Sequence, residues 1–480
     1  MNAPAIKNGL LAIVKRDCPT CVLVVPVLEQ LAGLGNLTVY SQDDPGFPEA
    51  ISEVTHDGDL SLSYNLDVEF VPTLIRFENG VETARTFGWD VGLWRELSGM
   101  MELGAGLPEQ RPGCAALNQD PDRLAALKLR HGDAGITARP ITIGALEDPI
   151  EACFEQDWSD GLPVVPPTPE RVFAMLQGTE RAPEEVIGLA PPNIVPCSVE
   201  KIAINAVMAG CKPEYMPVVL TAVACVLDEV FGLHGVLPTT RFVGPVILVN
   251  GPIARRIGMN AKGNVLGQGN RANATIGRAV QLVIRNVGGG KPGGVDRATL
   301  GNPGKLTYCF AEDEEDAPWL PYCTDAGFAA GTSTVTAFAG YGLQGIVDER
   351  ARTAEELLAT FASSLRAVDN INKFPSPDAM LVVCPEHQKT FIGSGWDKAR
   401  LQKELLARLT VPADSVQPGA NGIAEGASKK LRGQTVAKFS PGGLLIVCAG
   451  GGAGKFSGII AGFSAGSKYS SRPVTKEVTQ

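Results

Sequence analysis

Long apolar runs are absent from this sequence of 480 residues, and histidine is rare, with four residues in all. No stretch reaches the ~18 apolar residues that a membrane-spanning helix requires, so we expect no transmembrane segment. The first residues lack a charged region followed by a long apolar core, so we expect no signal peptide. So few histidines leave little basis for a His-rich metal site, and we predict neither a bound metal nor a cofactor.

Cysteines and basic residues are too few for two other classes of protein. Eleven cysteines are too sparse for a disulfide scaffold, and an odd number cannot pair completely within the chain. With 42 Lys and Arg against 52 Asp and Glu, the net charge of −10 argues against nucleic acid or an anionic membrane surface as a partner. We expect a reduced, soluble, cytoplasmic protein with a small-molecule substrate and an external thiol reductant as partners. A homo-oligomer is left open.

The composition favours a folded chain with several domains. Hydrophobic residues make up 44%, enough to fill cores, and 55 glycines with 35 prolines indicate many turns. At roughly 150 residues per domain, the length favours two to four domains. We predict an α/β protein with a first domain over residues 1–104, an ordered linker over 105–150 and a larger Gly-rich region over 151–480. A sub-boundary near residue 350 is a further hypothesis.

The first hundred residues carry a specific order of motifs. An apolar strand over 9–16 precedes the sequence Cys-Pro-Thr-Cys at 18–21. Helix-period apolar residues over 22–33 then predict a helix that is kinked by its internal proline. Further along, Val-Pro-Thr at 71–73 leads into a strand, and an Asn-Gly turn at 79–80 connects that strand to the next one.

With these motifs in order, residues 8–103 resemble the thioredoxin family closely. The resemblance implies a redox pair in which Cys18 attacks a sulfur atom and Cys21 resolves the product. It also implies a cis Val71–Pro72 peptide that faces the pair, which makes Pro72 a candidate site residue. Cys18 lies at the predicted helix N-terminus, where unpaired N–H groups favour a thiolate. The neighbouring carboxylate of Asp17 opposes this effect.

Alternatives to a redox pair are open in this region. A Cys-x-x-Cys pair can bind zinc, but such a site needs a second ligand pair, and no other Cys-x-x-Cys or His-x-x-x-His occurs. The fold could also be degenerate and inactive. Cys114, in the predicted linker, either reaches the pair as a relay or is a buried thiol.

The larger region alternates strands with helices and places polar, Gly-rich loops after its strands. This pattern predicts an α/β arrangement with its site at the strand ends. Two strand ends look alike, Val-Asn-Gly-Pro at 249–252 and Val-Cys-Ala-Gly at 447–450, so a duplicated half is a hypothesis. The sequence Trp-Ser-Asp-Gly-Leu-Pro at 158–163 resembles a segment of a bacterial group of uncharacterised thioredoxin-linked proteins, a resemblance that implies no particular activity.

The densest polar cluster lies over residues 260–278, where glycines permit close backbone approach. A helix that begins near 272–275 would direct its N-terminus toward a bound anion, with arginines close by. We expect an anionic or amide-bearing ligand here, and the alternative is a structured loop whose asparagines cap turns. The candidate substrate-binding residues are Asn250, Asn264, Asn270, Arg271, Asn273 and Arg278.

One thiol of the larger region is our first choice as a second catalytic cysteine. Cys197 lies near a predicted helix N-terminus, the setting that lowers a thiol pKa. Cys384 follows a predicted strand and lies three residues before His387, although a single cysteine is more often a small buried hydrophobe. The acidic run at 312–316 is expected to be a solvated face, with a divalent-metal site as the alternative.

Three classes of function follow from these features. We favour a thiol-dependent enzyme in which the Cys-x-x-Cys domain supports sulfur chemistry on a small substrate bound in the C-terminal region. Reductive cleavage, C–S bond cleavage and sulfur transfer all fit this class. The alternatives are a protein that handles a metal or an organometal through thiolates, and a non-catalytic thioredoxin-like adaptor.

Overall fold

The computed structural model describes residues 8–132, 134–416, 427–463 and 471–479. The chain divides into two compact units, Met1–Gly135 and Ile136–Gln480, and both contain helices and strands, as the predicted α/β class requires. The division falls inside the segment 105–150 that the sequence predicts as a linker. Among the described residues, no helix combines the length and the apolar character needed to cross a membrane.

The smaller unit is built on a five-stranded mixed sheet. Its elements are β1 (Gly9–Val14), α1 (Pro19–Leu23), α2 (Val25–Ala32), β2 (Leu37–Ser41), β3 (Val54–His56), α3 (Ser61–Asn65), β4 (Phe70–Val71), β5 (Thr73–Glu78), β6 (Val81–Phe87), β7 (Trp89–Asp90), α4 (Val91–Ser98), β8 (Gln110–Arg111), β9 (Cys114–Ala115) and α5 (Pro121–His131). The strand order is β3–β2–β1–β5–β6. β2 runs parallel to both β1 and β3, whereas β5 runs antiparallel to β1 and to β6.

The helix predicted over 22–33 is two helices. α1 ends at Leu23 and α2 begins at Val25, so that Pro26 falls in the first turn of α2. A proline is tolerated there because the first N–H groups of a helix have no intrahelical partner. α2 buries one face, including Leu28 and Leu31, in the core of the smaller unit.

The segment after residue 104 packs back onto the same unit. β8 pairs with β7, and β9 pairs with β4, with Val71 opposite Cys114. The Val71–Pro72 peptide is cis, which confirms the expectation from the resemblance. The chain beyond the predicted domain end therefore reaches the strand that leads into Pro72.

The larger unit has a seven-stranded sheet and helices on two of its sides. Its elements are α6 (Pro149–Glu155), α7 (Pro169–Leu176), β10 (Val186–Ala190), β11 (Val195–Ser198), α8 (Val199–Ala209), α9 (Met216–Val226), α10 (Leu233–Val236), β12 (Gly244–Asn250), α11 (Pro252–Arg256), α12 (Arg271–Asn286), β13 (Cys309–Ala311), α13 (Tyr322–Asp325), β14 (Thr334–Val347), α14 (Ala354–Arg366), β15 (Ala379–Val383), α15 (Pro385–Gly393), α16 (Lys398–Arg408), β16 (Thr410–Pro412), β17 (Thr435–Ala437), β18 (Leu444–Cys448), β19 (Phe456–Gly462) and β20 (Val474–Glu477).

The sheet repeats one strand pattern. β12 runs parallel to β13 and antiparallel to β14, and β15 runs parallel to β18 and antiparallel to β19. β14 pairs with β19 and joins the two halves, so the sheet includes strands from both sides of residue 350. In this repeat the strand end at 249–252 corresponds to Val-Val-Cys-Pro at 382–385. The sequence comparison with 447–450 therefore matched the wrong strands.

Both halves contribute to a shared core. Alternate residues of β12 and β15, among them Leu248 and Met380, pack into one apolar cluster. The opposite side of β12 packs against α8, α9 and α12, and the opposite side of β15 packs against α14 and α16. These strands are buried on both sides, which explains their continuous apolar sequences. The ends of β12, β13, β15 and β18 are the places where polar loops emerge.

Candidate functional site

The sulfur atom of Cys18 lies at the N-terminus of α1. The backbone of Cys18 is extended and Pro19 begins the helix, so the Cys18 Sγ accepts a hydrogen bond from the Cys21 N–H at 3.4 Å. The Cys18 thiol can also donate to the Val71 carbonyl, at 3.4 Å, next to Pro72. The Cys21 Sγ accepts a bond from the Lys15 N–H at 3.4 Å. The predicted pair therefore lies together beside the cis peptide.

Electrostatics separates the two thiols. Hydrogen bonding, first from the Cys21 side chain and then from the Cys114 thiol and two backbone groups, lowers the pKa of Cys18 to about 5 against the opposing effect of burial. Burial raises the pKa of Cys21 far above its usual value, and the Cys18 thiolate adds to this rise. At neutral pH the pair thus holds a thiolate on Cys18 and a proton on Cys21.

A third thiol adjoins this pair. The Cys114 side chain is partly exposed, and its thiol is a hydrogen-bond partner of the Cys18 sulfur. Burial, followed by that bond to Cys18, raises the pKa of Cys114. The sequence left two alternatives for Cys114, and the structure places it beside Cys18.

Cys197 is not in the setting that the sequence predicts. It lies in β11, is 0% exposed and packs in the largest apolar core of the unit. The N-terminus of α8 is capped instead by Ser198, whose Oγ accepts a bond from the Lys201 N–H at 3.3 Å. Burial raises the pKa of Cys197 to about 12, so the expected lowering is absent.

The predicted asparagine cluster is held by contacts within its own loop. The Asn270 Oδ1 caps α12 by accepting a bond from the Asn273 N–H at 3.0 Å. The Asn273 side chain accepts from the Asn260 N–H at 3.0 Å and donates to the Asn260 carbonyl at 2.9 Å. The Asn264 Nδ2 donates to the Gln268 carbonyl at 2.7 Å. These bonds fit the alternative of a structured loop with capping asparagines.

The two arginines of this cluster also have protein partners. The Arg271 Nε donates to the Gly210 carbonyl at 2.9 Å. Arg278 forms two bonds with the Asp160 carboxylate, at 2.8 and 2.7 Å, and further bonds with the carbonyls of Leu162 and Pro163. Arg278 thereby fixes the Trp-Ser-Asp-Gly-Leu-Pro segment to α12. The Arg278 guanidinium is therefore occupied by protein groups, whereas Arg271 is exposed and bonds through its Nε alone.

The end of β12 opens instead onto a cavity of about 320 Å³. The Asn250 Nδ2 donates to Glu312 at 2.7 Å and to Glu314 at 2.9 Å. Glu312 and Asp313 are only 5% and 4% exposed, so the prediction of a solvated acidic run is wrong for these two residues. Burial raises the pKa of Glu312 to about 7, although Asn250 and two backbone N–H groups donate to it. The described residues that line the cavity are Gly251, Pro252, Ala254, Arg255, Met259–Lys262, Ala311–Glu315 and Gly331.

Strand ends of the other half border the same region. The Asp313 N–H donates to the Cys448 carbonyl at 2.7 Å, and the Cys448 N–H donates to Glu312 at 3.2 Å. The Gly450 N–H donates to the Ala261 carbonyl at 2.9 Å. β13 of the first half and β18 of the second half therefore end beside each other, next to the cavity.

Cys384 and His387 lie together just after the end of β15. Cys384 precedes α15, and His387 follows one helical turn later. The Ser457 Oγ lies 2.8 Å from the His387 Nδ1 and accepts a bond from the Cys384 N–H at 3.1 Å. Burial opposes ionisation of Cys384, but its hydrogen bond with His387 lowers the Cys384 pKa overall, and the same bond raises the His387 pKa. The spacing of cysteine and histidine was the sequence signal for this pair.

A second cavity, of about 580 Å³, lies elsewhere in the larger unit. Its polar lining includes Gln281, Arg285 and Lys305, and none of the described lining residues is a cysteine. Within the described ranges, no group of three or more His, Cys, Asp or Glu residues is arranged to hold a metal ion.

Similarity to solved structures extends over 21% of this chain. No family model matches the chain, and no curated protein matches it. Among solved structures, the chain is similar to oxidised thioredoxin O2 from Arabidopsis thaliana, at 27% identity over 21% of this chain and 78% of that one, with a TM-score of 0.16. It is also similar to oxidised thioredoxin O1 from the same plant, at 22% identity over 21% of this chain and 81% of that one, again with a TM-score of 0.16.

Proposed function

We propose that this chain is a thiol-dependent enzyme whose Cys18–Cys21 pair reduces a sulfur-containing substrate. The observation that carries the proposal is the position of the Cys18 sulfur at a helix N-terminus with a pKa of about 5. A thiolate is the nucleophilic form of cysteine, and a low pKa also makes Cys18 a good leaving group. Cys21, one turn away and protonated, is the thiol that completes the exchange.

The exchange is balanced with one substrate disulfide. The Cys18 thiolate forms a bond to one substrate sulfur, and the S–S bond breaks with the electron pair on the leaving thiolate. The negative charge of Cys18 disappears in this step, which removes one cause of the high pKa of Cys21. Cys21 then attacks Cys18, passes its proton to the departing thiolate and closes the Cys18–Cys21 disulfide. An external dithiol restores the pair.

We assign the small substrate to the 320 Å³ cavity of the larger unit. Glu312, with a pKa of about 7, is suited to accept or return a proton there, and Cys384 with His387 replaces Cys197 as the candidate thiol of this unit. The predicted substrate residue Asn250 supports this site through its bond to Glu312. Of the other five predicted residues, Asn264, Asn270 and Asn273 bond within the loop over 260–278, and Arg271 and Arg278 bond to Gly210 and Asp160.

A small aromatic disulfide, 5,5′-dithiobis(2-nitrobenzoate), tests the proposal on the full chain. We expect two thiolates to be released as the Cys18–Cys21 disulfide forms, as seen by absorbance and by peptide mapping. Cys18→Ser should abolish this disulfide. Cys153→Ser, which changes a buried thiol of the other unit, is the control and should leave it intact.

The same experiment decides between the proposed classes. If Cys18 and Cys21 both stay reduced while the chain remains folded, the redox proposal is wrong and the adaptor is favoured. Metal analysis of protein purified without chelator tests the thiolate-based metal role. Stoichiometric metal that is lost in Cys18→Ser would support that role instead.

A further inference from the structure

Residues 110–116, called the strap here, run across the redox pair. Cys114 in the strap lies opposite Val71 in the β4–β9 pair, and the Val71 carbonyl is the one that the Cys18 thiol contacts. The Thr20 Oγ1, inside the Cys-x-x-Cys sequence, donates to the Pro112 carbonyl at 2.7 Å. The strap is thus fixed to both sides of the pair.

The strap packs too closely to admit another group. A Cβ atom on Gly113 would lie 2.9 Å from the Val71 carbonyl oxygen, so only glycine fits between Pro112 and Cys114. The Lys15 Nζ donates to the Ala115 carbonyl at 3.0 Å on the other side of Cys114. Backbone pairing and these bonds fix Cys114 opposite Val71, whose carbonyl lies 3.4 Å from the Cys18 sulfur.

Burial creates a problem of access. Cys18 is 1% exposed and Cys21 is 0% exposed, whereas Cys114 is partly exposed. A thiol–disulfide exchange needs the attacking sulfur to reach the sulfur under attack. A soluble disulfide or dithiol can therefore meet the Cys114 sulfur more readily than either sulfur of the pair.

We propose that Cys114 is a third redox thiol, which exchanges with Cys18 and connects the buried pair to external disulfides and dithiols. This inference rests on the proposed function, because it gives the route by which the Cys18–Cys21 pair is oxidised and reduced. Cys18 is then the central sulfur, with Cys21 on its buried side and Cys114 on its outer side.

Each step of the relay conserves electrons and protons. The Cys114 thiol attacks an external disulfide, forms a mixed disulfide and gives its proton to the departing thiolate. The Cys18 thiolate attacks the Cys114 sulfur, which forms a Cys18–Cys114 bond and releases the second external thiolate. Cys21 then attacks Cys18 and forms the Cys18–Cys21 bond, and its proton returns to Cys114. In the reverse direction the Cys114 thiol attacks Cys18, which re-forms the Cys18–Cys114 disulfide and returns a proton to Cys21. One thiol of an external dithiol then attacks Cys114 and releases the Cys18 thiolate, and its second thiol closes the external disulfide and frees the Cys114 thiol.

The full chain and the same aromatic disulfide test this relay by rapid acid quenching and peptide mapping. In Cys21→Ser we expect a Cys18–Cys114 disulfide to accumulate. In Cys114→Ser we expect the Cys18–Cys21 disulfide to form at least about tenfold more slowly, because the exposed sulfur is gone. Cys153→Ser serves as the matched control and should keep the rate of the unmodified chain.

The outcomes separate the relay from the function on which it rests. Unchanged rates in Cys114→Ser would overturn the relay and leave the dithiol function intact. So would a Cys21→Ser variant whose Cys18 carries the aromatic thiol with no bond to Cys114. Cys18 that never reacts in any variant would reject the proposed function itself. Cys21→Ser leaves the strap unchanged, so the test stands even if Cys114→Ser fails to fold.

Discussion

Cys18 both caps α1 and carries the proposed nucleophilic sulfur. Its extended backbone and the following Pro19 start a helix, and its sulfur accepts the bond that a serine or aspartate would accept as a helix cap. The sulfur is therefore stabilised as an anion by the same bonds that begin the helix. A nucleophile placed in this way needs no separate base to remove its proton at neutral pH.

The causes of the Cys18 pKa give a ranked prediction. The Cys21 side chain is the largest cause of the lowering to about 5, and the Cys114 thiol is a smaller one. We expect Cys21→Ala to raise the Cys18 pKa more than Cys114→Ala does. Thiolate absorbance near 240 nm, measured against pH and against Cys18→Ser, reports this pKa without requiring access to the sulfur. An equal pKa in all variants would contradict the assigned causes.

Local signals explain why some residues were predicted and others were not. Cys18, Cys21 and Pro72 belong to short motifs whose geometry depends on neighbours in sequence. Cys114 meets Cys18 only because β9 pairs with β4 across 43 positions between Val71 and Cys114. Cys197 was predicted near the N-terminus of a helix, but the next residue, Ser198, is the one that caps α8. The sequence allowed either residue in that position.

At the scale of elements, α12 shows what a polar sequence cluster can mean. Its cap, Asn270, and its arginines organise neighbouring segments. The periodicity predicted the helix but not its start, because capping by Asn270 places the first turn at Arg271. Composition alone could not separate a ligand-binding loop from a loop whose polar groups bind one another, since both use the same residues.

The Arg278–Asp160 pair gives a prediction for these elements. Their side chains are 15% and 11% exposed, and the pair is bidentate. Arg278→Ala should destabilise the larger unit by roughly 3 kcal/mol, because it leaves a buried carboxylate without its partner. Asp160→Asn combined with Arg278→Ala should recover part of that loss in a double-mutant cycle read by chemical denaturation.

An alternative result would change the interpretation of α12. If Arg278→Ala kept its stability but weakened binding of a small anion, Arg278 would belong to a ligand site, as the sequence first suggested. The matched control is Arg271→Ala. The Arg271 guanidinium bonds to a carbonyl through a single N–H, so its loss should cost much less.

For the whole molecule, the repeat in the larger sheet explains where its site lies. Two copies of one strand pattern are joined by the pairing of β14 with β19. β13 and β18 end side by side, where the Cys448 N–H donates to Glu312. The alternation of strands and helices was visible in the sequence. The meeting of the two halves was not, because it depends on how the sheet folds across a shared core.

This junction makes the stability of the larger unit depend on pH through Glu312. Burial raises its pKa from 4.5 to about 7, so the folded state binds its proton more tightly than the unfolded state does. The resulting stabilisation is complete below about pH 4.5 and is lost as the pH rises through 7. The span corresponds to roughly 3 kcal/mol at 1.36 kcal/mol per pKa unit.

Glu312→Gln should remove this dependence, because an amide does not titrate. We expect the free energy of unfolding of the variant, minus that of the unmodified chain, to increase by about 2–3 kcal/mol between pH 5 and pH 8, so the variant becomes relatively more stable as the pH rises. Denaturant titrations at several pH values measure this change. The exposed Glu355→Gln is a suitable control and should leave the slope unchanged. A parallel pH profile for Glu312→Gln and the unmodified chain would mean that Glu312 is already ionised throughout, and it would remove Glu312 as the proton carrier of the cavity.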